Sequence, residues 1–189
     1  MTADLDRLRT DDDAWDAFVG GTDTDFPLQM SAWATAKAPY GWSSARVVAD
    51  GGSGPIGGQL LMRSLGPGPF AMGYAPRGPV ATVFDQASLD AWTTAVREFA
   101  SSRRLTHVTA DPGLEGEAHH PLFAEAGWEP ADVVQLTSTQ VIDLSLTEEE
   151  LWHDVYKSSR RYANGARKKG CHVKEEGEEA LPTFYDILA

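Results

Sequence analysis

Two stretches carry residue types able to hold an anion or position a reacting group. In Gly73-Tyr74-Ala75-Pro76-Arg77-Gly78-Pro79-Val80 a phenol and a guanidinium stand three residues apart between glycines and prolines. Each proline fixes φ, removes a backbone donor and biases its predecessor toward extended geometry. The segment therefore suits the rigid, splayed end of a strand, with Tyr74 and Arg77 projecting into a cleft. An ordinary Gly/Pro turn with a surface arginine fits the same residues. The second stretch sets Trp33 and Lys37 four apart, so on a helix the ammonium lies beside the indole. That pair can bind an anion, or it is a solvated lysine whose stem packs on the ring.

A third feature is a concentration of charge. Six of the sixteen Lys and Arg residues fall between Lys157 and Lys169, namely Lys157, Arg160, Arg161, Arg167, Lys168 and Lys169. They suit phosphate or nucleic-acid backbone, but basic residues on a helix are more often a solvated face, and the acids from Glu175 to Glu179 lie close by. Arg63-Ser64-Leu65-Gly66-Pro67-Gly68 matches the Arg-x-x-Gly-x-Gly pattern with which GNAT acyltransferases hold the pyrophosphate of acyl-CoA. Such a loop needs backbone donors leading into a helix. Here Pro67 and Pro69 delete donors and a strand follows, so a hairpin turn is expected. His119-His120 lacks a second ligand pair at metal-binding spacing, and His107 reads as a structural strand residue. No Gly-x-Ser-x-Gly elbow or Cys/His pairing marks a nucleophile. The residues identify no catalytic group, no metal site and no cofactor.

The 189 residues are enough for one full domain and part of another. A net charge of -12 argues against nucleic-acid binding over the whole surface. No run approaches the roughly 20 apolar residues that span a bilayer. Met1 to Asp13 holds five aspartates and no apolar run, so no signal peptide is read there. Cys171 is the lone cysteine, which excludes an internal disulfide and is compatible with a reducing cytoplasm.

The elements that position these residues follow from spacing and punctuation. Trp15, Phe18 and Val19 predict a helix over 11–19, closed by Gly20-Gly21. Ser31 reads as the N-cap of a helix through Lys37, stopped by Pro39. Residues 45–49, 56–62 and 70–74 read as three strands of an antiparallel meander. Leu89, Trp92, Val96 and Phe99 predict an amphipathic helix over 85–104, and 105–110 a strand ending at Asp111-Pro112-Gly113. A brief helix over 121–126 and a strand over 140–144 follow. Thr147-Glu148-Glu149-Glu150 has the form of a capping box opening a helix toward Gly170, with a possible interruption at Gly165. Residues 171–174 read as a strand and 181–189 as the start of a helix. Two helices, a meander, a helix and a further strand are the order of an α/β (α+β) domain with a GNAT-like mixed sheet flanked by helices.

Several of these stretches together resemble the FemABX family of non-ribosomal peptidyltransferases. They are Pro27-Leu28-Gln29 with Ser31, Trp33, Lys37 and Gly41-Trp42; Tyr74 to Val80; Ala126-Gly127-Trp128; Thr139 to Ser145; and Lys157-Ser158-Ser159-Arg160-Arg161 leading to Ala166-Arg167-Lys168-Lys169-Gly170. The resemblance implies two GNAT-like domains in tandem, the first spanning residues 1–143 and the second beginning at 144–189. It also implies transfer of an amino acid from aminoacyl-tRNA to the side-chain amine of a peptidoglycan precursor, either UDP-MurNAc-pentapeptide or a lipid-linked form. Lys37, with Trp33, would contact the precursor's phosphates, and Tyr74 and Arg77 would line its cleft. Lys157, Arg160 and Arg161 would meet tRNA or phosphate. The family's signature often carries an aspartate two places after the valine, where this chain has Thr82, and Asp85 is too far along the chain to replace it.

The resemblance also implies a second domain barely begun by Ala189, so a chain of this extent is expected not to turn over alone. A cytoplasmic location is expected. Two further readings remain open: a GNAT-type acyl-CoA N-acyltransferase, which the proline-filled loops disfavour, and a noncatalytic muropeptide- or partner-binding module.

Overall fold

The computed structural model describes residues 4–22, 27–114, 120–136 and 141–188. His119, Thr139 and Gln140 lie outside them. The chain divides into two compact units, Met1–Thr137 and Ser138–Ala189.

The first unit is a mixed sheet between two layers of helices. Its elements are α1 (Leu5–Thr10), α2 (Asp12–Gly20), α3 (Ser31–Lys37), β1 (Ser43–Asp50), β2 (Pro55–Ser64), β3 (Ala71–Arg77), β4 (Val80–Ala81), α4 (Gln86–Arg103), β5 (Leu105–Pro112) and α5 (His120–Glu125). β1, β2 and β3 form the expected antiparallel meander, and β5 adds to β3 in parallel, giving the order β1-β2-β3-β5 with β4 paired to β2. Successive strand residues point to opposite faces. Val47 packs with Leu89, Trp92 and Val96 of α4, whereas Val48 packs with Leu8, Trp15 and Val19 of α1 and α2. Gly57-Gly58 makes room for one indole on each face. A Cβ at Gly57 would lie 3.0 Å from Trp15, and one at Gly58 2.9 Å from Trp92.

Three details of this unit differ from the sequence reading. Leu5–Thr10 is a helix capped by the Asp4 side chain, too short for its periodicity to register. Ser31 is the first residue of α3 and Met30 occupies the cap position. The Ser31 N–H and hydroxyl instead donate to the Asp16 carboxylate at 2.7 and 2.6 Å, so the cap comes from α2. β3 also runs past Tyr74 through Pro76 to Arg77. It can do so because Pro76, which has no N–H, stands where β3 has already left β2.

In the second unit the Thr147 capping box is present at the start of α6 (Glu148–Asp154). The expected long helix breaks at Val155-Tyr156, where Val155 is extended and Tyr156 is non-helical, and resumes as α7 (Lys157–Lys168) with Gly165 inside it. The Arg160 guanidinium donates to the His153 carbonyl at 2.9 Å, satisfying an orphan acceptor at the end of α6. Residues 141–144 and 171–174 are not strands. A strand needs a ladder partner, and no strand occurs among the described residues of this unit; Val141 and Val173 stay 87% and 99% exposed. α8 (Leu181–Leu188) ends the described chain.

Candidate functional site

The site is built where β3 parts from β2. β2 pairs with β3 from Leu61 to Ser64 and with β4 at Ile56 and Gly57, leaving its Gly58–Leu60 stretch without a strand on that side. The side chain of Gln29, fully buried, fills the split. Its Oε1 accepts the Gln59 N–H at 2.7 Å, and its Nε2 donates to the Pro76 carbonyl at 2.6 Å and the Gln59 carbonyl at 3.4 Å. One amide thus stands in for the missing ladder. The Gln59 amide donates to the Met30 carbonyl at 2.8 Å, and the Trp15 indole to the Gln29 carbonyl at 2.6 Å. These bonds pin the turn Pro27–Gln29, and the α3 helix that follows, to the end of β3.

Beyond the split, parallel pairing carries β3 and β5 to a common end, with Pro76 beside Asp111 and Arg77 beside Pro112. There the Tyr74 hydroxyl donates to Asp111 Oδ2 at 3.3 Å and accepts from the Gln135 amide at 3.1 Å. The Arg77 guanidinium donates to the Leu136 carbonyl at 3.0 Å and lies 4.0 Å from Asp111 Oδ1. Burial pushes the Tyr74 phenol up, against the donation from Gln135, and the Asp111 charge pushes it the same way. The phenol is therefore a protonated donor at neutral pH. Neither contact to Asp111 is as short as a charge-assisted bond, so the carboxylate keeps acceptor capacity.

Arg77 has φ +55, a left-handed conformation costing a side-chain-bearing residue about 1 kcal/mol. It is held between Pro76, bonded to Gln29, and Gly78, where a Cβ would sit 2.8 Å from the Gln29 amide. Strain of this kind concentrates at working sites.

Trp33 and Lys37 meet as read, the ammonium 4.7 Å from the ring centroid. They stand on α3, directly after the Gln29 turn. Lys157, Arg160 and Arg161 lie on α7 of the second unit; Arg160 is engaged with His153, and Lys157 and Arg161 are exposed. Trp128, of the Ala-Gly-Trp motif, stacks on Trp92 at 5.5 Å and serves the core.

Sequence reasoning missed Asp111, Gln135 and the role of Gln29. Asp111 was within reach, since the carboxyl ends of parallel strands are where α/β sheets hold ligands. Gln135 approaches only through the fold.

The other motifs resolve as structure. Arg63 and Ser64 end β2, and Leu65 to Gly68 form part of the β2–β3 hairpin turn, closed by the Leu65 N–H donating to the Phe70 carbonyl at 3.1 Å. The N-terminus of α4, where an acyl-CoA pyrophosphate would dock, is occupied by its own carboxylate. Asp85 accepts the Ser88 N–H at 2.8 Å and the Ser53 hydroxyl at 2.7 Å. The β1–β2 turn also lies against it, with a Cβ at Gly51 only 2.5 Å from the Ser88 nitrogen. Asp85 is a helix cap, and Thr82 is exposed beside that turn. Among the described residues no group of three His, Cys, Asp or Glu could hold a metal, and no helix is long and apolar enough to cross a membrane.

The model of the FemAB family matches residues 10–125. The lipid II:glycine glycyltransferase of Staphylococcus epidermidis is 27% identical over 197 aligned residues, and that of Staphylococcus haemolyticus 25%. Each alignment covers 97% of this chain and 47% of the relative, so the chain spans about half the length of the curated relatives it matches. The crystal structure of FemX matches with a TM-score of 0.67 at 23% identity, over 89% of this chain and 45% of FemX, which shows a shared fold.

Proposed function

Because the chain belongs to the FemAB family, we propose that its first unit is the acceptor-binding domain of an aminoacyltransferase that builds the interpeptide bridge of peptidoglycan. The donor is aminoacyl-tRNA and the acceptor a side-chain amine of the precursor peptide, in its lipid-linked or UDP-linked form. The observation that carries this reading is the Tyr74, Arg77 and Asp111 group at the common end of β3 and β5, within the span matched by the family.

An aminoacyl ester is already activated, so transfer needs a neutral amine held in line and support for the oxyanion that develops. The new amide bond forms as the ester C–O bond breaks, and the amine's proton leaves with the 3′-hydroxyl of the tRNA. Asp111 receives the acceptor as an ammonium, which gives one proton to solvent to become the attacking neutral amine; Tyr74 orients that carboxylate, and Arg77 holds an anionic group of the precursor. Lys37, steadied on Trp33, contacts its phosphates. Lys157 and Arg161 offer charge to the tRNA backbone, with Arg160 bracing α7 against α6.

Titration of this chain with a UDP-linked muropeptide, followed by thermal shift and calorimetry, tests the reading. Stabilisation by the muropeptide is expected, with affinity at least tenfold weaker in Asp111→Asn and in Lys37→Ala, both folded. Stabilisation by coenzyme A and not by muropeptide would overturn it in favour of an acyl-CoA enzyme, which the Asp85 cap disfavours. Binding of neither would leave a partner-binding module.

A further inference from the structure

A second distinctive surface lies at the opposite end of the sheet. The β2–β3 hairpin tip, Leu65-Gly66-Pro67-Gly68-Pro69-Phe70, presents Leu65 and Phe70 at 53% and 55% exposure, paired across the turn. Two prolines stiffen it, so these apolar groups are displayed at little further entropic cost. Arg63 flanks the tip on β2, its guanidinium 5.5 Å above the Trp42 ring, and Tyr40 beyond it is exposed. The Ala71 N–H donates to the Arg104 carbonyl at 3.3 Å, bringing the C-terminus of α4, with exposed Arg103 and Arg104, to the same end. The acid of α4 nearest this end in sequence is Glu98, more than a turn before Arg103.

At the far end acids outnumber the arginines Arg9 and Arg77. Asp50, Asp85, Asp90 and Asp111 gather at the ends of β1 and β5 and the start of α4. The first unit is thus polarised along its strands, acidic at one end and arginine-rich with displayed apolar groups at the other. Apolar side chains ringed by arginine, with aromatic residues at the rim, suit the interface of an anionic membrane.

We propose that the hairpin tip, Arg63 and the Arg103-Arg104 end of α4 dock this chain on an anionic lipid bilayer. Leu65 and Phe70 enter the headgroup boundary while the three guanidinium groups pair with lipid phosphates. β3 then stands away from the membrane and carries Tyr74 roughly 10 Å and Arg77 roughly 20 Å above it. Only that last consequence, a site set at the height of an extended lipid-linked headgroup, rests on the acceptor reading above.

The test is sedimentation of the 189-residue chain with phosphatidylcholine vesicles and with vesicles containing phosphatidylglycerol, neither holding any precursor. Binding to the anionic vesicles alone, weakening with salt, is expected. Leu65→Ser/Phe70→Ser should lose most of it. Arg103→Ser/Arg104→Gly should weaken it about fivefold for each charge removed; glycine suits the left-handed φ of +54 at residue 104. Lys168→Ser/Lys169→Ser, on the basic helix of the second unit, should bind as the parent does. Equal binding to both vesicle types, no binding to either, or loss in the Lys168/Lys169 variant alone would overturn the proposal. Because the vesicles lack precursor, either result is independent of the muropeptide titration.

Discussion

A single buried amide does more to shape the site than the residues that line it. Gln29 satisfies Pro76 and Gln59 with one side chain, and Gly78 is free of a Cβ where that side chain passes. Leucine fits a similar volume but leaves the Gln59 N–H and the Pro76 carbonyl buried without partners. Unmet buried groups cost more than the net worth of the bonds themselves. Gln29→Leu is expected to destabilise the chain by about 3 kcal/mol, read from the midpoint of urea unfolding. A change below about 0.5 kcal/mol would mean that the split closes without it. The same substitution frees the Pro76-Arg77 turn, so the strained Arg77 conformation depends on a residue 48 positions earlier in the chain.

At the scale of elements, α4 illustrates how a helix terminus is committed. Its 18 residues bury Leu89, Trp92 and Val96 against β1 and β2, and its first turn is closed by Asp85. The Ser88 N–H, then the Ser53 hydroxyl, hold the Asp85 carboxyl below its ordinary range. The folded state therefore favours the charged form. Its stabilising contribution is present above the unfolded aspartate value near about 3.9 and is lost as pH falls through the lowered folded value. Asp85→Asn keeps a competent cap and removes the titration. The expected result is near-parental thermal stability at pH 7 and a smaller loss as pH falls below about 4. An acid limb identical to the parent's would refute the assignment. A negative charge already at this terminus also accounts for the absence of a nucleotide-type phosphate loop in a fold whose strand order is GNAT-like.

At the scale of the molecule, burial among the described residues is confined to the first unit. The buried residues lie between Leu8 and Ala126, and none is buried among the described residues of the second unit. Amide exchange is expected to be slowest in β1, β2 and α4 and at least a hundredfold faster across 148–188, which mass spectrometry of labelled peptides measures. Matching protection in both units would contradict it. Much of the first unit was legible in the sequence because its signals are local: apolar runs punctuated by Gly/Pro turns for the meander and an i, i+3, i+7, i+10 stripe for α4; the Thr147 capping box of the second unit was legible for the same reason. The reading failed where the outcome depended on partners. Residues 141–144 and 171–174 have strand-like composition but no ladder to join, and Ser31 is capped by a carboxylate 15 residues away. The chain's own pattern therefore determined the order of elements, the family resemblance, and Trp33, Lys37, Tyr74 and Arg77 as candidates. Tertiary structure alone decided that Asp111 and Gln135 join Tyr74, that Gln29 fills the split beside them, and that Asp85 is a cap. The reason is physical: periodicity reports which face of an element is apolar, but a hydrogen bond between distant residues exists only once parallel pairing brings two strand ends together.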